Sequence, residues 1–83
     1  MSKQETNISE RERDVRKAAE ECSELATVLI QQLNKPHKNL SKRIIEEIGD
    51  VLFRVENLVK HFDIQEVSDR IEVKREKDNE RSK

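Results

Sequence analysis

The chain has 83 residues, of which 42% are charged, with 17 basic and 18 acidic side chains and a single cysteine. This length allows one domain with a small core, and the near balance of charge excludes a broad basic surface for nucleic acid. A lone cysteine excludes a disulfide within the chain. The longest uncharged segment, residues 25–34, is too short to cross a membrane, and the first residues lack the apolar core of a signal peptide. We therefore expect a single cytoplasmic domain over residues 1–83 that binds neither membrane nor nucleic acid.

A first helix is predicted over residues 9–34. Apolar residues recur there at steps of three and four from Ile8 to Leu33, which is the pattern of one helical face. Ser9 or Asn7 is expected to cap its start, and Pro36 disfavours helical geometry at the residue before it, so the helix should end there. Cys22 falls on the apolar face and is expected to be a buried thiol.

A second helix of about 20 residues is predicted after the capping candidate Ser41, on an apolar stripe that runs to Phe62. A short third helix follows Asp63, with Ile71 on its apolar face and Lys74 as the next position on that face. Residues 1–7 and 76–83 are expected to be flexible. The predicted fold is all-α: an antiparallel helical hairpin plus a short third helix. Val28 and Ile30 are among the apolar side chains that lie beyond the central stripes. One chain would leave some of these side chains uncovered, which predicts pairing into a four-helix core in a homodimer or homotetramer.

Two acidic motifs interrupt the apolar stripes: EECSE at residues 20–24 and EEIGD at residues 46–50. Carboxylates three residues apart on a helix can converge, so an antiparallel hairpin would bring two such pairs together. Like charges at that distance repel by about 1 kcal/mol or more per pair, and the cluster therefore needs a cation. Oxygen ligands without histidine or thiolate suit Mg²⁺ or Mn²⁺, and Mg²⁺ usually takes further ligands from substrate phosphates. Gly49 costs about 1 kcal/mol relative to alanine in a helix, which predicts a close approach by a ligand or another backbone.

The segments EECSELA and EEIGDVLFRV resemble the MazG-type nucleotide pyrophosphohydrolases of the all-α NTP pyrophosphatase superfamily, and the resemblance covers residues 15–81. It implies that Glu21, Glu24, Glu47 and Asp50 are Mg²⁺ ligands, with Mn²⁺ as a substitute. It implies that Glu20 and Glu46 are outer-shell partners or bases for the attacking water. The family's basic C-terminal segment corresponds loosely to residues expected to contact substrate phosphate: Lys74, Lys77, Asn79 and Arg81.

The reaction that the resemblance implies is hydrolysis of a nucleoside triphosphate to the monophosphate and pyrophosphate. Three alternatives stay open: a narrower dUTPase or dCTP pyrophosphatase, a family fold without turnover, and a non-catalytic helical dimerisation or regulatory module. The aromatic residues are few. Phe62 is expected in the core, Phe53 in a pocket or an oligomer contact, and His37 and His61 are expected to face solvent.

Overall fold

The computed structural model describes residues 9–82, apart from the side chain of Ser82. This part of the chain forms three helices and no strand: α1 Glu10–Asn34, α2 Ser41–Val59 and α3 Ile64–Ser82. Helices α1 and α2 pack along each other, and they are antiparallel because residues near the start of α1 contact residues just after the end of α2. The predicted all-α fold with a helical hairpin is confirmed. None of the three helices is long and apolar enough to span a lipid bilayer.

The start of α1 is capped as predicted, whereas the start of α2 is not. The Ser9 hydroxyl accepts a hydrogen bond from the Glu12 amide at 3.0 Å, which satisfies one of the free amides of the first turn; the alternative cap Asn7 lies outside the described residues. The expectation that Ser41 caps α2 is wrong, because Ser41 is already helical and Leu40 precedes it without a side-chain cap. The Asn39 side chain instead accepts from the Ser41 amide at 3.0 Å.

Helix α3 is longer than predicted. It has 19 residues, as many as α2, and it continues through the basic tail. The Asp63 carboxylate caps its first turn by accepting from the Gln65 amide at 2.8 Å. Glutamate, lysine and arginine are good helix formers, and pairs such as Glu72 with Arg75 along the exposed surface add support. The expected flexibility of residues 76–83 stays a prediction, and residues 1–7 lie outside the described part.

The core of one chain is very small. Among the described residues only Ala18 and Val28 are buried apolar side chains. Val28 is covered within the hairpin, whereas Ile30, which was also predicted to lie beyond the central stripe, is 56% exposed. Two burial predictions are wrong: Cys22 is exposed, and Phe62 is 47% exposed because α2 ends at Val59, before Phe62 can continue the stripe.

A polar contact fastens the open end of the hairpin. His61 Nε2 lies 2.7 Å from Asp14 Oδ2, and the two side chains are 16% and 12% exposed. The prediction that His61 faces solvent is therefore wrong. Because an ionised carboxylate only accepts hydrogen bonds, the imidazole donates from Nε2. Lys60 adds an exposed ion pair with Glu10 at 3.0 Å, so two contacts join residues that are about 50 positions apart along the chain.

Candidate metal centre

Three carboxylates from the two hairpin helices lie close together. Glu21 on α1 and Glu47 and Asp50 on α2 each offer an oxygen, and these oxygens lie within 4.8 Å of one another. Oxygens bound to one Mg²⁺ lie within about 4.2 Å of one another, twice the usual bond of about 2.1 Å. Small side-chain rotations would therefore bring these three oxygens onto one ion.

Two oxygens of this cluster have no hydrogen-bond donor. Glu21 Oε1 and Glu47 Oε1 are shielded from solvent and unpartnered among the described residues, which is costly for a carboxylate unless a cation or a proton satisfies it. Loss of hydration raises the pKa of Glu21 above its ordinary value of 4.5, and the Glu24 and Asp50 carboxylates raise it further. The donor set therefore fits a small hard cation, which would supply the missing positive charge.

Glu24 lies at the edge of the cluster. It is outside the three-oxygen set, but its carboxylate is close enough to help raise the pKa of Glu21. It also lines a cavity of about 180 Å³ together with Glu47. The other walls of this cavity are Ser23, Thr27 and Arg43. The cluster thus opens onto a space that a phosphate group could enter.

The remaining predicted site residues lie elsewhere in the single chain. Glu20 is exposed and 3.7 Å from Lys17, and Glu46 is exposed. The residues expected to contact phosphate are all exposed on α3: Lys74, Lys77, Asn79 and Arg81. Lys74 does not continue a buried stripe, since Ile71 on the same face is itself 47% exposed. Lys77 and Arg81 line a separate groove with Glu80, so their role at the substrate remains a prediction.

Two arginines next to the cluster were not predicted as site residues. Arg43 precedes Glu47 by four positions and lines the cavity beside it; Arg54 follows Asp50 by four positions, and its charge opposes the rise in the pKa of Glu21. The spacing of 43, 47, 50 and 54 puts all four side chains on one face of α2. That spacing is the signal from which both arginines could have been predicted as neighbours of the carboxylates.

Gly49 has open space around it in the part of the chain that the structure describes. A Cβ added there would meet no atom of that part within 4 Å, so no other described backbone approaches it closely. The close approach that the sequence predicts at Gly49 therefore stays a prediction for a ligand or another backbone outside the described residues.

Comparison with known proteins gives one match. The family model described as the MazG nucleotide pyrophosphohydrolase domain matches residues 10–82, which is nearly the whole chain and includes all three helices. Neither the curated proteins nor the solved structures gave a significant match.

Proposed function

Since the chain belongs to the MazG nucleotide pyrophosphohydrolase family, we propose that it hydrolyses a nucleoside triphosphate to the monophosphate and pyrophosphate with the help of Mg²⁺. Four carboxylates would hold the ion: Glu21, Glu24, Glu47 and Asp50. The observation that carries the proposal is the pair of shielded, unpartnered oxygens of Glu21 and Glu47, one from each helix of the hairpin. A purely solvated acidic surface would leave such oxygens in contact with water.

The roles of the chain's own residues follow from their chemistry. The carboxylates supply hard oxygen ligands, which favour Mg²⁺ or Mn²⁺ over Zn²⁺. A bound divalent ion offsets the negative charge of the phosphates and helps orient an attacking water. Glu21 and Glu47 come from different helices, so the hairpin holds the ligands at a fixed separation before substrate arrives. Glu20 and Glu46 are predicted either to support the metal ligands from the outer shell or to accept the proton from the attacking water.

The test is a panel of ribo- and deoxyribonucleoside triphosphates, including dUTP and dCTP, incubated with the protein and Mg²⁺. Pyrophosphate and monophosphate should appear in equal amounts from at least one nucleotide, and the rates across the panel separate a broad activity from a narrow one. Glu47→Gln should lower the rate by about 100-fold or more, because mutating even an outer-shell partner of a metal ligand lowers activity by up to about 100-fold.

The matched control is Glu56→Gln, an exposed position on the same helix that should leave the rate unchanged. Release of orthophosphate in place of pyrophosphate, or equal rates for the two variants, would contradict the proposal. A protein that releases nothing from any nucleotide would be a member of the family without turnover.

We also propose that the partner of this chain is a second copy of itself. Many large apolar side chains are exposed on the three helices and, at Phe62, on the segment between α2 and α3: Val15, Leu29, Ile30, Leu33, Ile45, Ile48, Leu52, Phe53, Phe62, Ile64, Ile71 and Val73. Exposed apolar surface on this scale usually marks an association face. Pairing two hairpins into a four-helix core would cover the exposed residues of α1 and α2.

A further inference from the structure

A second cavity, lined by basic and polar side chains, adjoins the carboxylates at the turn end of the hairpin. It measures about 270 Å³. Its walls are Gln31, Lys35, Lys38, Leu40 and Arg43. Within the described residues, none of these three basic side chains forms an ion pair. Three positive charges thus face one space without an ion-pair partner among residues 9–82.

Arg43 belongs to both cavities. It lines the carboxylate cavity beside Glu47 and also the basic cavity beside Lys35 and Lys38. Its Nη1 donates to Gln31 Oε1 across the hairpin at 3.5 Å, so the guanidinium is held between the two spaces. A ligand that occupies both cavities must therefore pass Arg43, whose planar fork of donors suits phosphate oxygens.

The turn that carries the two lysines is held in place by one side chain. Gln32 donates from Nε2 to the carbonyl oxygens of Lys35 at 3.3 Å and Lys38 at 2.6 Å. Its Oε1 accepts from the Leu40 amide at 2.9 Å. The backbone of residues 35–40 is thus fixed, while the two ammonium groups remain free to contact a ligand. Such preorganisation lowers the entropy cost of binding.

We propose that Arg43, Lys35 and Lys38 form the subsite for the β and γ phosphates, which leave together as pyrophosphate. This inference rests on the proposed function and adds to it the position of the leaving group. The β and γ phosphates carry most of the substrate's negative charge. The basic cavity places beside the carboxylates three basic side chains that form no ion pair among the described residues. The nucleoside would then lie on the other side of the metal centre.

Size agrees with this assignment. Cavities that hold small ligands usually measure about 300–1,000 Å³, and each of the two cavities is smaller than that. The two cavities meet at Arg43, and their combined volume falls within this range. Within the single chain, Lys77 and Arg81 of α3 line a groove that shares no wall with either cavity.

The experiment measures binding of inorganic pyrophosphate with Mg²⁺ by titration calorimetry, which requires no turnover. Arg43→Gln and the double variant Lys35→Gln, Lys38→Gln should each weaken binding by about tenfold or more, as expected for lost charge-assisted hydrogen bonds. The pyrophosphate affinity of Arg43→Lys should lie between those of wild type and Arg43→Gln, because lysine keeps the positive charge but lacks the planar set of guanidinium donors. Melting curves of each variant check that the fold is retained.

The control is Lys42→Gln, which removes one exposed charge from the position next to Arg43 without lining either cavity. Its pyrophosphate affinity should match wild type. An equal loss in Lys42→Gln and Arg43→Gln would show general charge attraction only and would overturn the subsite.

The outcomes also separate this inference from the proposed function. If no nucleotide is hydrolysed but Arg43→Gln loses pyrophosphate affinity and Lys42→Gln does not, the subsite stands and the hydrolase proposal fails. If a nucleotide is hydrolysed and Arg43→Gln keeps both the KM and the pyrophosphate affinity of wild type, the hydrolase stands and the subsite is wrong.

Discussion

At the scale of single residues, the carboxylates of the cluster are held together with only partial compensation of their charge. Glu21 and Glu47 each have one shielded oxygen without a donor among the described residues, and the charge of Arg54 only partly offsets the rise in the pKa of Glu21. Such a site is destabilising without a cation and favourable with one. The same residues therefore couple stability to both metal and pH.

Replacing Glu21 by glutamine should change how stability depends on pH. The folded-state pKa of Glu21 is raised above its ordinary 4.5, so between 4.5 and the raised value the folded state binds more protons than the unfolded state. Metal-free wild type should therefore lose stability as pH rises through that window. Glu21→Gln removes the titrating carboxyl group. In the presence of a chelator, the melting temperature of this variant should therefore change less with pH than that of wild type. A slope equal to wild type would contradict this reading.

Some features of the site could be predicted from the sequence because helical spacing determines them. The convergence of Glu47 with Asp50 follows from a three-residue step, and their meeting with Glu21 follows from an antiparallel hairpin. For a residue at the edge of an apolar stripe, burial or exposure depends on how the helices pack, and the spacing of apolar residues in the sequence does not specify that packing. Cys22 was expected to be buried and is exposed, and His61, which follows the end of α2, has its partner Asp14 on α1, 47 positions away.

At the scale of helices, the hairpin is held by a small apolar core and by contacts at its two ends. Gln32 ties the turn together at one end, and Asp14 with His61 joins the helices at the other. These end contacts matter more than usual because so few apolar side chains are buried between the helices.

Asp14→Ala should lower the free energy of unfolding by about 1–3 kcal/mol, the usual cost of leaving a buried hydrogen-bonding group without its partner. The His61→Ala change should cost less in the Asp14→Ala background than in wild type, because the contact is already lost. Denaturant unfolding of the wild type, the two single variants and the double variant measures this coupling. Additive losses would show that the short Asp14–His61 distance contributes no stability.

The helix ends show where local sequence signals succeed and where they fail. Ser9 caps α1 as its side chain and position predict. The extent of α3 was underestimated because its prediction relied on an apolar face, whereas the basic tail is made of good helix formers that need no such face in order to be helical. Ser41 illustrates the opposite case, since Asn39 accepts the hydrogen bond from the Ser41 amide and leaves Ser41 inside the helix.

At the scale of the whole molecule, one chain is too open to be a complete globular unit. Its radius of gyration is 16.9 Å, against about 12 Å expected for a compact domain of this length. Its shortest dimension is 15 Å, little more than the diameter of one helix with its side chains, about 10–12 Å. The molecule is a flat layer with exposed apolar side chains, and this shape supports the proposed association with a second copy.

Leu52→Glu should convert the proposed oligomer into monomers. Leu52 is 57% exposed in the single chain, and burying such a side chain is worth about 1.5–3 kcal/mol, so a charge there should weaken association by more than about tenfold. Sedimentation equilibrium measures the change, with Arg70→Glu as an exposed control on α3. A wild-type protein that is monomeric at micromolar concentration would contradict the association itself.

The most direct test of the central claim is the melting temperature as Mg²⁺ or Mn²⁺ is added, compared between wild type and the double variant Glu47→Gln, Asp50→Asn. Wild type should show a saturable rise, since an ion that binds only the folded state stabilises it by about 2.7 kcal/mol at 100 times its Kd. The double variant should show no rise, while Glu56→Gln should behave like wild type. A rise of equal size in wild type and the double variant, or no rise in wild type, would contradict a shared divalent ion between the two helices.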